Sequence, residues 1–348
     1  MNEFGARLRS ARKMAGLSME ALADLANNIV TKQSISKYEK GMATPSSEIL
    51  IALARALNVK IDYFFRDTKV FIDSFEFRKH SKLGKKAEEQ IKYKTMDFIE
   101  KYLEIENVLN VKSGFKNPLS QRTVINFSEV EAVVQDIRKK WQLGNEPISH
   151  IIELLEEKGV KVLEISGTKH FDGFSCFVST LKIPVIAVAK EIGIVRKRFT
   201  IAHELGHLLL DLSCAQDNSV EKLCHSFAGA LLLPEEVIKK ELGAHRKKIT
   251  LFELETLKSH FGISMQAILA RAKALRIISE NYYRHVCIYG NKHGWRKKEP
   301  GDYKGVESAK RFKQLIYHAL AEQIISFSKG AELLNISINK LNREVEFV

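Results

Sequence analysis

The sequence predicts a multidomain chain: an all-α domain of five short helices, then an α+β domain, then a mainly α C-terminal region. Three observations predict this. Helix-capping residues recur through the first 66 residues, three short strand-like segments precede an apolar run at residues 199–212, and helical stretches flank Gly262 and return from Ala319. With 348 residues, 45% of them hydrophobic, the chain can bury two or three cores. A net charge of +13 favours an anionic partner, nucleic acid first. No stretch approaches 18 apolar residues and the first ten residues lack a signal-peptide core, so the expectation is a cytoplasmic protein with no membrane partner. Its four cysteines form no C-x-x-C pair, as expected of free thiols.

In residues 1–66, Phe4, Leu8 and Ala11 have helical spacing, Ser18 and Thr31 cap the next two helices, and Ser46 or Ser47 caps a fourth through Leu57. A last turn follows at residues 62–65. Ile35 is expected to face the core while Lys32, Gln33, Ser34 and Lys37 project from the third helix, where amide and lysine groups can pair with adenine or guanine in a major groove. Leu22-Ala23, the run from Thr31 to Gly41 and Pro45 resemble the Cro/repressor type of helix-turn-helix domain, which implies operator DNA as a partner. One departure lies at Asn27-Asn28-Ile29-Val30, a turn longer than usual and without its glycine. The two asparagines are expected to supply the left-handed conformation instead.

Residues 67–120 form the connector. Residues 70–77 are expected to be extended, and residues 82–110 helical, with Ile91, Thr95, Phe98, Tyr102, Ile105 and Leu109 in a heptad seam. Such a seam has two readings: a homodimer through residues 83–109, or packing against the chain's own second domain. Asn117-Pro118 marks the boundary.

Residues 121–280 carry the chemistry. Strands are expected at residues 161–165, 173–178 and 184–188, with an exposed edge beside the site on which an extended peptide adds as a further strand. His203-Glu204-Leu205-Gly206-His207 follows within the apolar run. On a helix, the histidines stand four apart on one face, so both imidazoles reach one metal ion with Glu204 beside them. That is the outline of a hydrolytic zinc site, Glu204 being the general base. The alternative is a buried helix with two hydrogen-bonded core histidines. Two histidines leave a catalytic zinc one protein ligand short, and the helix expected at residues 221–233, closed by Pro234, offers Glu221, with His225 and Cys224 as rivals.

Arg198-Phe199-Thr200-Ile201-Ala202 before the motif, residues 221–228 with the Leu-Leu-Leu-Pro end at Pro234, and weaker matches at 141–147, 155–160 and 171–175 resemble the ImmA/IrrE metallopeptidases over about residues 120–280. The resemblance implies a zincin-like domain with His203, His207 and Glu221 as zinc ligands, Glu204 as general base and helix-turn-helix repressors as substrates. Manganese is the alternative metal. Cys224-His225 departs from many members, which carry a small residue followed by a polar amide there.

Two helical stretches divided by His260 to Ser264 complete this domain, the last expected at residues 267–278. In residues 281–348, His285, Cys287 and His293 alternate with Val286 and Ile288, as in a strand ending at Gly290-Asn291, and a structural hairpin is expected rather than a second metal site. Residues 319–337 resemble a small helix-turn-helix to which no chemistry is assigned. The function expected is a DNA-binding regulator fused to a zinc endopeptidase; the competing class is a non-proteolytic transcription factor whose peptidase-like domain senses a ligand.

Overall fold

Short caps and fixed turns shape the first helices of the computed structural model, which describes residues 3–66, 84–111, 114–119, 123–167, 170–178 and 182–345. Helices α1 (Glu3–Met14), α2 (Met19–Leu25), α3 (Lys32–Glu39) and α4 (Ser47–Leu57) precede a 3-10 turn at Ile61–Phe65. Ser18, Thr31 and Ser46 each accept a hydrogen bond from the backbone N–H three residues on, satisfying an otherwise orphaned donor. Asn27 and Asn28 adopt φ of 54° and 56°, the left-handed pair expected of a turn without glycine. Leu8, Leu22, Ile35, Leu53 and Phe64 are wholly buried at the centre of this bundle. Beneath them Arg12 grips Glu39 with two bonds of 2.6 and 2.7 Å.

Residues 70–77 lie outside the described residues. Helix α5 (Lys85–Val108) follows, and its seam is used internally. Ile91 and Ile99 pack on the sheet with Ile165, Phe174, Cys176 and Val185. Tyr102 and Ile105 pack on the C-terminal helices with Leu315, Ile316 and Leu341. The chain itself thus covers the apolar stripe, as in the second of the two readings given for the seam.

Helices α6 (Phe127–Lys140) and α7 (Ile151–Glu157) lead into strands β1 (Lys161–Ile165), β2 (Gly173–Val178) and β3 (Ile183–Ala189). The sheet order is β1-β3-β2, with β1 parallel and β2 antiparallel to β3, so β2 is an edge. Residues of β3 point alternately to two cores: Val185, Ala187 and Ala189 toward α5, Ile186 and Val188 toward α8 (Ile194–Leu209). That two-sided burial accounts for the nearly continuous apolar run of β3. Helix α8 stops at Leu210, whose extended backbone takes Leu210 to Leu212 out of the helix expected at 199–212.

Helices α9 (Asp217–Leu232), α10 (Glu235–Leu242), α11 (Leu251–Phe261) and α12 (Met265–Ala274) complete the domain, and Gly262 at φ 61° separates the last two. The strand expected around Cys287 is a helix, α13 (Glu280–Lys292). Ser279 caps it at Tyr282, and Val286 and Gly290, four apart, are its buried face, so the helical period overrides the alternation. Helices α14 (Arg311–Ala321), α15 (Phe327–Leu333) and α16 (Ile338–Glu344) close the chain against α5.

Candidate metal centre

Helix α8 sets His203 and His207 one turn apart with ring centroids 5.1 Å from each other. Helix α9 brings Glu221 across. One carboxylate oxygen lies 3.5 Å from His203 Nε2 and the other 3.6 Å from His207 Nε2. Ligands at about 2.1 Å from a tetrahedral zinc stand about 3.4 Å apart, so these three donors have the chemistry and the spacing of such a site. Among the described residues they are the one group of histidine, cysteine and acidic side chains gathered within 4.8 Å.

Two glycines permit the approach. A Cβ on Gly206 would lie 3.1 Å from the Phe227 ring and 3.5 Å from Cys224 Cα, so α9 packs close under the motif. On Gly173 it would lie 2.6 Å from Thr200 Cγ2 and 3.2 Å from the Ala187 oxygen, a position only glycine fills between β2 and α8.

Glu204 is buried beside the edge strand, and Ser175 Oγ donates to its Oε2 at 2.8 Å. Of the rivals to Glu221, Cys224 is wholly buried in the core. His225 is exposed; its Nδ1 lies 2.6 Å from the Glu221 backbone oxygen and its ring stacks edge-on against His203 at 4.3 Å. His285, Cys287 and His293 do not converge, and His293 Nδ1 turns to the Tyr289 carbonyl at 2.8 Å.

Sequence reasoning assigned no role to the groups that brace this helix pair. Arg198, five residues before His203, is wholly buried and donates to the backbone oxygens of Ile148, Ser149, Phe261 and Gly262. Its Nη1 also donates to Glu307, which accepts from the N–H groups of Ile151 and Ile152 at 3.0 and 3.1 Å. Next to it, Lys197 reaches Glu164 at 2.6 Å, and Glu164 accepts from the Ala309 N–H. The available signal for Arg198 was its place directly before the apolar run, five residues ahead of His203. Glu307 has no local signal, because its partner lies over a hundred residues away.

On α3, Lys32, Gln33 and Lys37 are exposed and Ile35 is buried, as the sequence predicts. Ser34 differs. It is half-buried, and its hydroxyl lies 3.0 Å from Thr31 Oγ1, within the cap of the helix.

Two histidines and a carboxylate on adjoining helices beside an edge strand define a metallopeptidase-like domain, and the four-helix bundle before it is of the helix-turn-helix class. Comparison with known proteins agrees: residues 155–273 match the family model described as the IrrE N-terminal-like domain, and residues 8–64 the model described as helix-turn-helix. The chain thus joins a helix-turn-helix domain to an IrrE-like domain. The N-terminal part is 34% identical over 70 residues to a prophage-derived uncharacterized HTH-type transcriptional regulator of Bacillus subtilis, covering 20% of this chain and 63% of that protein. It is 38% identical over 63 residues to an uncharacterized HTH-type transcriptional regulator of Sinorhizobium medicae (18% and 44%), and 41% identical over 62 residues to one of Rickettsia conorii (18% and 48%). The chain therefore spans less than two thirds of the length of each of these relatives. No helix among the described residues is long and apolar enough to cross a membrane.

Proposed function

We propose that the protein is a DNA-binding transcriptional regulator carrying a zinc-dependent endopeptidase, with operator DNA and a helix-turn-helix repressor as its partners. Its parts would be the DNA-binding domain at 1–66, a connector at 67–120, the zincin-like peptidase at 121–280 and a C-terminal region at 281–348. The observation that carries the peptidase reading is the Glu204 carboxylate, oriented by Ser175 Oγ next to the three donors His203, His207 and Glu221. Zinc, or manganese in its place, held by those donors would supply Lewis acidity to water and to a scissile carbonyl. Glu204 then takes a proton at its carboxylate and returns it to the leaving amine. The free edge of β2 suits an extended substrate, whose main chain adds to the strand and is presented along the motif helix. On α3, exposed Gln33 and Lys37 suit base edges in the major groove and Lys32 its phosphates, with Ser34 assisting from the helix cap.

The test is to incubate the metal-loaded chain with a repressor encoded next to it and follow both by mass spectrometry. Cleavage by the parent and none by Glu204→Gln is expected. An intact repressor in every condition sinks the endopeptidase reading. Adding Glu204→Gln chain to active chain also tests self-processing at residues 78–86, a stretch that lies largely outside the described residues. Cutting between the two domains would make the chain its own substrate.

One observation favours ligand sensing as a second reading. A cleft of about 580 Å³ between α5, α7 and residues 306–314 is lined by Tyr102, Glu106, Glu156, Lys161 and Arg311. Regulation that survives Glu204→Gln in a reporter assay would select it.

A further inference from the structure

The start of α5 is fastened to the helix-turn-helix domain. Lys13 forms an ion pair with Glu89, and Gln90 Nε2 donates to the Met14 oxygen at 3.0 Å, lying over Gly16, whose φ is 66°. A Cβ on Gly16 would stand 3.1 Å from the Gln90 amide, so the turn after α1 leaves the space that α5 occupies.

This junction encloses a cleft of about 620 Å³ with walls from both parts of the chain. Helix α1 contributes Arg9, Arg12 and Lys13, α3 contributes Lys32 and, at its C-cap, Lys40, and α5 contributes Lys86. Its acids are Glu20, Glu39 and Glu89. Each of these is matched: Glu39 to Arg12 at 2.6 Å, Glu89 to Lys13, and Glu20 to Lys32 at 3.6 Å. Arg9, Lys40 and Lys86 are exposed and have no carboxylate in ion-pair range among the described residues. Three uncompensated cations thus face one cleft, and α3 forms one of its walls.

We propose that this cleft seats phosphates of duplex DNA and that Lys86 makes the connector helix part of the DNA interface. The inference rests on the DNA-binding reading of α3. A recognition helix whose first turns enter the major groove has a row of phosphates along each side of it, and a wall shared with α3 lies where one row must run. Duplex DNA fits the cleft because its charges are closely spaced anions, and the surplus here is cationic, solvated and arranged along a trough. Ile91 and Ile99, on the same helix, support the sheet of the metal centre. DNA held at Lys86 would therefore be held by an element that also packs against the peptidase core.

The experiment uses the full chain and a random-sequence duplex, with affinity followed by fluorescence anisotropy between about 50 and 200 mM salt. Lys86→Ala is expected to weaken binding several-fold at the low-salt end and to reduce the log–log salt slope by about 0.9, the value of one released counterion. Arg9→Ala is expected to do the same, Lys86→Arg to restore the parent slope, and Lys340→Ala, an exposed lysine on α16, to leave it unchanged. A parent-like slope in Lys86→Ala overturns the proposal while the DNA-binding reading stands. A parent chain with no salt-dependent duplex binding overturns both.

Discussion

Arg198 and Glu307 form an ion pair in which neither side chain reaches solvent, joining the helix of the metal motif to a segment of the C-terminal region. Removing one partner of such a pair strands a buried charge. Glu307→Ala is expected to cost about 3–5 kcal/mol in urea unfolding. The double variant Arg198→Met, Glu307→Leu should cost less than the single one. A Glu307→Ala chain as stable as the parent would refute the pairing.

For the metal centre, loss of one of three protein ligands should remove most of the affinity. His203→Ala, His207→Ala and Glu221→Ala are each expected to lower bound zinc sharply by metal analysis, whereas Glu204→Gln keeps the metal and loses proteolysis. Full occupancy in Glu221→Ala together with loss in His225→Ala would move the third ligand to His225.

On DNA, Gln33→Ala and Lys37→Ala are expected to weaken binding to a specific site by about 1–3 kcal/mol each at fixed salt, leaving binding to random duplex nearly as it was. Footprinting reads the difference. Equal losses on both DNAs would reduce these residues to phosphate contacts and displace the recognition helix.

The contrast between the metal centre and its braces shows what the sequence carries. His203, Glu204 and His207 fall within five residues on one helix, so spacing alone brings them together, and the three strands were legible because apolar and β-branched residues cluster between polar turns. The caps Ser18, Thr31 and Ser46 were equally local. Glu307 was not, since a buried partner of Arg198 can come from any part of the chain. Around Cys287 the short alternation misled, because the face formed by Val286 and Gly290 with the Ser279 cap has the longer period. The heptad stripe of α5 was read correctly as apolar, but periodicity does not say which surface will cover it.

Glu156 gives a pH dependence. Burial pushes its carboxyl from the usual 4.5 up to about 7, while one oxygen accepts the Arg311 N–H at 3.3 Å. The native state therefore keeps a proton that the unfolded chain has released. This contribution to stability is fully present below pH 4.5 and is lost as pH rises through about 7. Glu156→Gln, which stays neutral, is expected to raise stability by about 1–2 kcal/mol at pH 8 and to change it little at pH 4. Equal effects in melts at both pH values would contradict the raised carboxyl.

The reach from Glu221 to Glu307 also sets an order of events during synthesis. The second helix of the candidate metal centre, α9, ends at Leu232, 75 residues before Glu307. At about 5–20 residues per second that is a wait of roughly 4 to 15 s, during which Glu307 is not yet there to meet Arg198. A ribosome-bound chain therefore passes through an interval in which both motif helices have been made without their anchor, and the brace closes only once Glu307 has been added.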